Sequence, residues 1–419
     1  MDEHPVRVTV TDDLLRNRWT VFFRLILAIP HFIWLGLWGV AAFFAAFVNW
    51  LVTLLSGTPP APLFDFLAAY LRYATHVFAY VLLAANPYPG FTGEPGYPVD
   101  VELGRALPQN RWKTAFRVVL AAPALLLASV LVCGATYSFN AHATEHGGSI
   151  TYYRTLGGVA ATVAFLAWFA ILARGRMPRG FRDLVAFCLR YGVQACAYLF
   201  VLTERYPDAD PALPEAVEPS PPSPVRLVLE DDPRRSRLTV FFRFFLALPH
   251  LVWLVLWGIA AFFALIGMWF ATVFSGRPPA GLHRFLSSYL RYGVHVYAFL
   301  FLIGGPFPGF NGRLGSYPVD LELPAPEPQG RWGVFFRLVL AVPAFAVTAA
   351  LGGVLVVTAL LCWFASLVTA REPVSLQRLA AFALRYTAQT DAFVYLLTAR
   401  YPYSGPTTRV ADEQLALAE

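Results

Sequence analysis

Two periodicities alternate along this chain. In "VRVTVTD" at 6–12, "YPVDVEL" at 97–103, "VRLVLED" at 225–231 and "YPVDLEL" at 317–323, apolar and polar residues take turns with the period of two expected of strands. Long apolar segments run between them, several at or beyond the ~20 residues that span a bilayer. The stretch from Val21 to Leu55 would be about 50 Å long as one helix, more than a ~30 Å hydrocarbon core, and Pro30 interrupts it. One arrangement is a short in-plane or tilted helix, then a span, then a return span over 64–85. That gives two crossings per quarter of the chain and eight in total.

The pattern repeats. The second half copies the first at an offset of 219 residues, which takes Arg24 to Arg243 and His76 to His295. A weaker copy lies within each half: "RWTVFFRLILAIPH" at 18–31 returns as "RWKTAFRVVLAAPA" at 111–124, "RLTVFFRFFLALPH" at 237–250 and "RWGVFFRLVLAVPA" at 331–344. A Leu-Arg-Tyr triplet recurs around Arg72, Arg190, Arg291 and Arg385, with Trp50, Trp168, Trp269 and Trp363 at matching places upstream. Quarters one and three carry Pro-His and a second His (His31 and His76, His250 and His295). Quarters two and four carry Pro-Ala and a Gln, Gln194 or Gln389. The order is A-B-A′-B′. Repeat A covers 1–105, repeat B 106–206, a proline- and acid-rich linker 207–224, repeat A′ 225–323, repeat B′ 324–403 and a tail 404–419.

Quarter two is longer. Arg117 and Arg190 are 73 residues apart and Arg24 and Arg72 only 48, so 25 extra residues fall around "YSFNAHATEHGGSITYYRT". Insertions collect in loops, and this one aligns near Gly39. A tight turn at Gly39 would make each long segment a hairpin and raise the count to as many as twelve helices. Lipid does not tolerate open strand edges, so the strands belong outside the bilayer, and pairing all four in one sheet requires them on one side. Arg and Lys are in excess near the strands, which places these and the N-terminus in the cytoplasm.

Composition agrees with a membrane setting. Of 419 residues, 57% are hydrophobic and 14% charged, with a mean hydropathy of +0.54; soluble domains carry about 25% charged residues. Residues 1–17 are polar and lack a secretory signal pattern. Lys113 is the only lysine, an arginine bias expected of a GC-rich bacterial genome, and hence of a bacterial inner membrane. Arg also binds phosphate in a fork that Lys cannot match. The net charge of +6 suits a face against anionic lipid and not a nucleic-acid footprint. Cys133, Cys188, Cys196 and Cys362 lie in apolar segments without CxxC spacing, as packed thiols do.

The arginines are the chemical puzzle. Each uncompensated Arg at a bilayer centre costs roughly 2.5–3.5 kcal/mol. Arg24, Arg117, Arg243 and Arg337 form one equivalent set, and Arg72, Arg190, Arg291 and Arg385 another. On a helix, Arg72 and His76 share a face, as do Arg291 with His295 and Arg190 with Gln194. Carboxylates within the apolar segments are few (Asp65, Asp183, Asp391), so backbone carbonyls, Gln, Tyr hydroxyls or phosphate must supply the remaining partners. In the plainest reading Arg24 snorkels to headgroups and Arg72 ties helices to carbonyl ends. In a sharper one the eight arginines line a site for anionic lipid or another phosphate-bearing ligand. A third pairs His31 with His76, and His250 with His295, as haem or metal ligands. "HATEH" at 142–146 matches the H-x-x-E-H zinc pattern, but in one quarter only and without an obvious third ligand. There is no Walker loop, no G-x-S-x-G and no G-x-G-x-x-G entering a helix, so neither an enzyme nor a cofactor is expected.

The signature R-W/L-T-V-F-F-R…L-A-I/L-P-H is clearest over residues 15–90 and 235–310. It resembles the bacterial membrane family termed domain of unknown function 4389. The resemblance implies an integral membrane location and repeated domains, and carries over no functional residues. The expectation is an all-α integral membrane protein: a four-repeat helical bundle with short extramembrane strands. It would act as a non-enzymatic scaffold or accessory subunit that engages anionic lipid or a membrane protein partner. A transporter or channel-like subunit, and an intramembrane haem protein, are the alternatives.

Overall fold

The computed structural model describes residues 4–142, 149–212 and 223–406, with side chains for all of these except 133–142 and 149–157. Two compact units divide the chain, one built on residues 4–208 and the other on residues 223–404.

The first unit opens with strand β1 (Val6–Val10). Two short helical turns, α1 (Arg18–Phe22) and α2 (Arg24–Leu27), lead into α3 (Ile29–Ser56), and α4 (Ala61–Val81) returns along it. Strand β2 (Val99–Leu103) follows, then α5 (Arg111–Ala115), α6 (Arg117–Ala128) and a π turn at Ser129–Cys133. A hairpin of β3 (Gly134–His142) and β4 (Ser149–Gly157) precedes α7 (Val159–Arg174) and α8 (Arg179–Leu199). The second unit holds β5 (Arg226–Leu229), α9 (Arg237–Ser275), α10 (Ala280–Leu300), β6 (Val319–Glu322), α11 (Arg331–Phe335), α12 (Arg337–Thr369) and α13 (Val374–Val394).

Local chemistry explains these boundaries. The Asn17 and Asn110 side chains cap α1 and α5, accepting the N–H of Trp19 at 2.9 Å and of Trp112 at 3.0 Å. Pro30 sits in the first turn of α3, where its missing N–H costs nothing. Pro249 and Pro343 lie inside the continuous helices α9 and α12, so this proline does not by itself divide the segment. Gly57, Gly175 and Gly276, with φ of 83°, 70° and 73°, end α3, α7 and α9 in the left-handed conformation.

Two expectations are corrected. Gly39 is not a turn: it lies inside α3 and lets α4 come close, because a Cβ there would stand 3.1 Å from the Tyr70 hydroxyl. Gly258 serves Tyr289 in the same way, at 3.0 Å. The extra residues of quarter two instead follow the π turn, where β3 and β4 divide the counterpart of α3 into α6 and α7. The alternating segments do not form one sheet. β1 pairs antiparallel with β2 (Val8 opposite Val101) and β5 with β6 (Leu227 opposite Leu321). Among the described residues three helical stretches are long and apolar enough to cross a membrane: Arg24–Ser56, Arg237–Ser275 and Arg337–Thr369. The presumed return span is α4, which carries Asp65, Arg72 and His76 and falls short of that apolarity.

Each unit is layered. In the first, α3 packs on α4, α6 and α7 pack on α8, and α4 lies beside α8. The sheet covers the inner helices, β2 on α4 and β1 on α8. Val6 and Val101 of the sheet, Leu67 and Leu71 of α4, and Val193 and Ala197 of α8 share one core. Burying each Leu there contributes about 1.5–3 kcal/mol. The second unit repeats the scheme, with α9 on α10, α12 on α13, α10 beside α13, β6 on α10 and β5 on α13.

The two copies inside each unit exchange contacts at their entrances. The Arg16 N–H donates to Gly175 O at 3.1 Å and the Met177 N–H to Leu14 O at 2.9 Å, while the Gln109 N–H donates to Gly57 O at 2.8 Å. Trp50 Nε1 donates to Thr114 O at 2.7 Å and Trp168 Nε1 to Val21 O at 3.3 Å, so each copy's tryptophan holds the other's first turn. The second unit has the same bonds: Arg235 N–H to Ala370 O, Glu372 N–H to Pro233 O, Gln329 N–H to Gly276 O and Trp269 Nε1 to Val334 O.

Ala370 occupies the position that glycine holds after α3, α7 and α9, at φ 56°. Ala370→Gly is expected to stabilise the second unit by about 0.5–1 kcal/mol, and Gly276→Ala to destabilise it by a similar amount. Thermal unfolding of the two variants checks both signs.

Candidate functional site

The first arginine set sits where the inner helices end. α4, α8, α10 and α13 each close through a non-glycine residue in the left-handed conformation: Leu83, Val201, Leu302 and Leu396. Behind each bend, carbonyls lose their helical partners, and a buried guanidinium meets them. Arg24 Nη2 donates to Asn86 O at 3.1 Å and Arg117 Nη1 to Thr203 O at 3.2 Å. Arg243 donates to Phe299 O and Gly304 O, and Arg337 to Thr398 O. Gln109 and Gln329 accept from Arg117 and Arg337. Each guanidinium also lies over a ring: Tyr80, Tyr198, Phe299 and Phe393, at 4.1–4.3 Å. Cation–π contact and the negative end of the helix dipole both favour a cation here.

In copies A and A′ the second set fastens the sheet. Arg72 Nε donates to Val101 O at 3.0 Å and Arg291 Nε to Leu321 O at 2.9 Å. His76 Nε2 lies 2.9 Å from Asp100 Oδ1, and His295 Nε2 lies 3.0 Å from Asp320 Oδ1. Burial works to raise the Asp100 carboxyl, but the Gly96 N–H, His76 and the Val101 N–H together hold it below the usual range. In copies B and B′ the partner is backbone: Gln194 Nε2 donates to Val6 O at 3.0 Å and Gln389 Nε2 to Val225 O at 3.1 Å. Arg190 donates to Ala212 O and lies near the Phe187 ring, and Arg385 lies near that of Phe382. So His appears where the strand offers a carboxylate, and Gln where it offers a carbonyl.

The paired histidines are held by different groups. His31 Nδ1 stands 2.8 Å from the Tyr73 hydroxyl, and its ring stacks on Phe91 at 4.4 Å. His250 stands 2.8 Å from the Tyr292 hydroxyl and stacks on Phe310 at 4.2 Å. Among the described residues no three His, Cys, Asp or Glu side chains gather as a metal site. Of "HATEH", residues 143–146 and the His142 side chain lie outside the described residues.

What faces outward is a different set. Arg18, Arg111, Arg237 and Arg331, the first arginine of each repeated motif, are exposed. Arg18 Nη2 donates to Ala173 O at 3.1 Å and Arg237 Nη2 to Val368 O at 2.9 Å, at the ends of α7 and α12. Beside three of these arginines stand Trp19, Trp112 and Trp332, 75–77% exposed. The outer face of α3 is apolar from end to end, through Ile29, Ile33, Leu37, Phe43, Phe47 and Leu55, all exposed. α9 and α12 present similar faces.

A family model described as a domain of unknown function (DUF4389) matches residues 18–92, 150–209, 237–308 and 331–404. The chain belongs to this family. It carries DUF4389 in four tandem segments, the second matched only from residue 150, beyond the start of the β3–β4 insertion. No curated protein and no solved structure matches the chain.

Several residues that matter in these DUF4389 copies escaped the pattern reading. Asp100 and Asp320 are the first of them, and the doubled "YPVD" that carries them is a signal visible in the sequence. Asp12 and Asp231 pair with the buried Arg16 and Arg235, at 2.7 and 2.5 Å. The units differ there. Glu372 also reaches Arg235, at 2.6 Å, whereas the first unit has buried Met177 at the equivalent backbone position. Two carboxylates thus share one guanidinium, and burial pushes Glu372 up to about 7. A carboxyl whose folded pKa is raised adds stability below its unfolded value of about 4.5, and this is lost as pH rises through 7. Glu372→Met, which copies the first unit, is therefore expected to be more stable than the parent at pH 8 by about 3 kcal/mol, with the advantage nearly gone at pH 4.5. Unfolding measured across that range checks it.

Proposed function

We propose that this DUF4389 protein is a non-enzymatic, membrane-bound scaffold or accessory subunit that holds itself on anionic lipid. The observation that carries it is the apolar outer faces of α3 in the first unit and of α9 and α12 in the second, each bordered by exposed arginine or tryptophan. α3 alone offers a strip about 42 Å long and about 10 Å wide, as large as the biggest patches a soluble monomer shows. Tryptophan beside arginine suits the headgroup level, where an amphipathic ring and a phosphate-binding fork both find partners. The lipid contact belongs to Arg18, Arg111, Arg237 and Arg331, because the eight helix arginines are held against the fold itself.

Partition of the purified chain between phosphatidylglycerol-rich and phosphatidylcholine vesicles tests the reading. Each basic residue near an anionic surface contributes about 1 kcal/mol. The parent should prefer the anionic vesicles, and changing Arg18, Arg111, Arg237 and Arg331 to Gln should cut that preference at least tenfold. Equal partition of parent and variant would overturn the lipid assignment.

A further inference from the structure

The helices long enough to cross a bilayer are backed along their length by something that cannot. α3 and α4 form an antiparallel pair: His31 meets Tyr73, the Trp38 ring stacks on Tyr73 and packs against Tyr70, and Ala42 joins Phe64 and Leu67 in one core. A second face of α4 is covered by β2 and the residues after it, running the other way. Asp100 lies on His76, Val101 on Arg72, and residues 103–106 line a groove with Ala61, Asp65 and Ala69. From Ala61 to His76 this cover extends about 22 Å along α4. It carries Asp100, Glu102 and Arg105, its partner strand β1 carries Arg7, and a two-stranded sheet has two open edges.

Standing α3 upright in a membrane would draw that sheet most of the way through a ~30 Å hydrocarbon core. Unpaired strand edges and ionised carboxylates are excluded there. The second unit has the same construction. Trp257 meets Tyr289 and Tyr292, Gly258 faces Tyr289, and β6 lies on α10 through Arg291 and His295. In both units charge and apolarity are therefore divided across the thickness of the layers and not along the helix axes.

We infer that the outer face of α3 in the first unit, and those of α9 and α12 in the second, each lie parallel to the membrane plane within one lipid leaflet, so that these helices do not cross the bilayer. This rests on the membrane reading above and fixes its geometry. The occupant is lipid, because exposed arginine and tryptophan stand at the helix ends, where headgroups would meet them, while the apolar strip between carries no charge. An in-plane helix buries its apolar face ~5–10 Å below the headgroups, which the α3 face allows without wetting its inner side.

Cysteine labelling of the full chain in cells distinguishes the geometries. Asp13→Cys before α1, Thr58→Cys after α3 and Glu102→Cys on β2 would each be placed in a chain whose native cysteines are replaced. An impermeant maleimide should label all three from the same side of the membrane. Labelling of residues 13 and 58 from opposite sides would overturn the proposal. A second measurement uses spin labels at Leu25→Cys, Leu37→Cys and Leu51→Cys in phosphatidylglycerol vesicles. Lying flat, the three give equal depths to within a few ångströms; a crossing helix would separate them by up to about 20 Å in succession. Labels that stay unreached by lipid-soluble relaxants would mean that a second copy or another protein covers the face, which also overturns the proposal. A chain that binds no vesicles at all would sink the membrane reading itself.

Discussion

The fold rests on one electrostatic solution, used four times: a guanidinium buried against the carbonyls where an inner helix bends to a stop. Those carbonyls cannot be satisfied by the helix, and the residue at the bend is Leu or Val in a conformation usually left to glycine. A hydrophobic residue there lets the bend pack into the core, and the arginine supplies the donors that water would otherwise give. The arginine in turn is tolerable only because its ring partner and the helix dipole replace its hydration. Neither half of the arrangement is stable without the other, which accounts for a costly residue recurring at the same place in each copy.

Much of this was legible in the sequence, and the reason is periodicity. Strands over 6–10 and 99–103 were announced by strict alternation, and the repeats by identical text at a fixed offset. Scarce carboxylates in the apolar segments pointed to carbonyl and glutamine partners for the arginines, and Thr203, Gln109 and Gln329 are among those found. Partners distant in sequence were not legible. β1 and β2 meet across about ninety residues, and nothing in either strand names the other. Gly39 was misread because a glycine that admits a tyrosine hydroxyl and a glycine that turns the chain look alike. Glu372 differs from Met177 by a single letter, and only the backbone bonds show that the two positions correspond.

The arginines split by depth, a division that residue type could not reveal. Arg18 and Arg24 are six residues apart in one motif, yet the first is exposed and the second is buried under Tyr80. Sequence reasoning assigned the lipid to the eight helix arginines because they were the anomalous ones, and the ordinary-looking arginine at the start of each motif is the one most open to solvent.

The exchange of entrance contacts has a consequence for how this architecture is counted. Trp50 reaches Thr114 and Trp168 reaches Val21, so one copy alone would leave indole donors and helix-end carbonyls without their complements. The irreducible object is thus a duplex, with two halves clasped like linked hands. Such a chain grows in steps of two, and a relative with a single copy would have to find its other half in a second molecule.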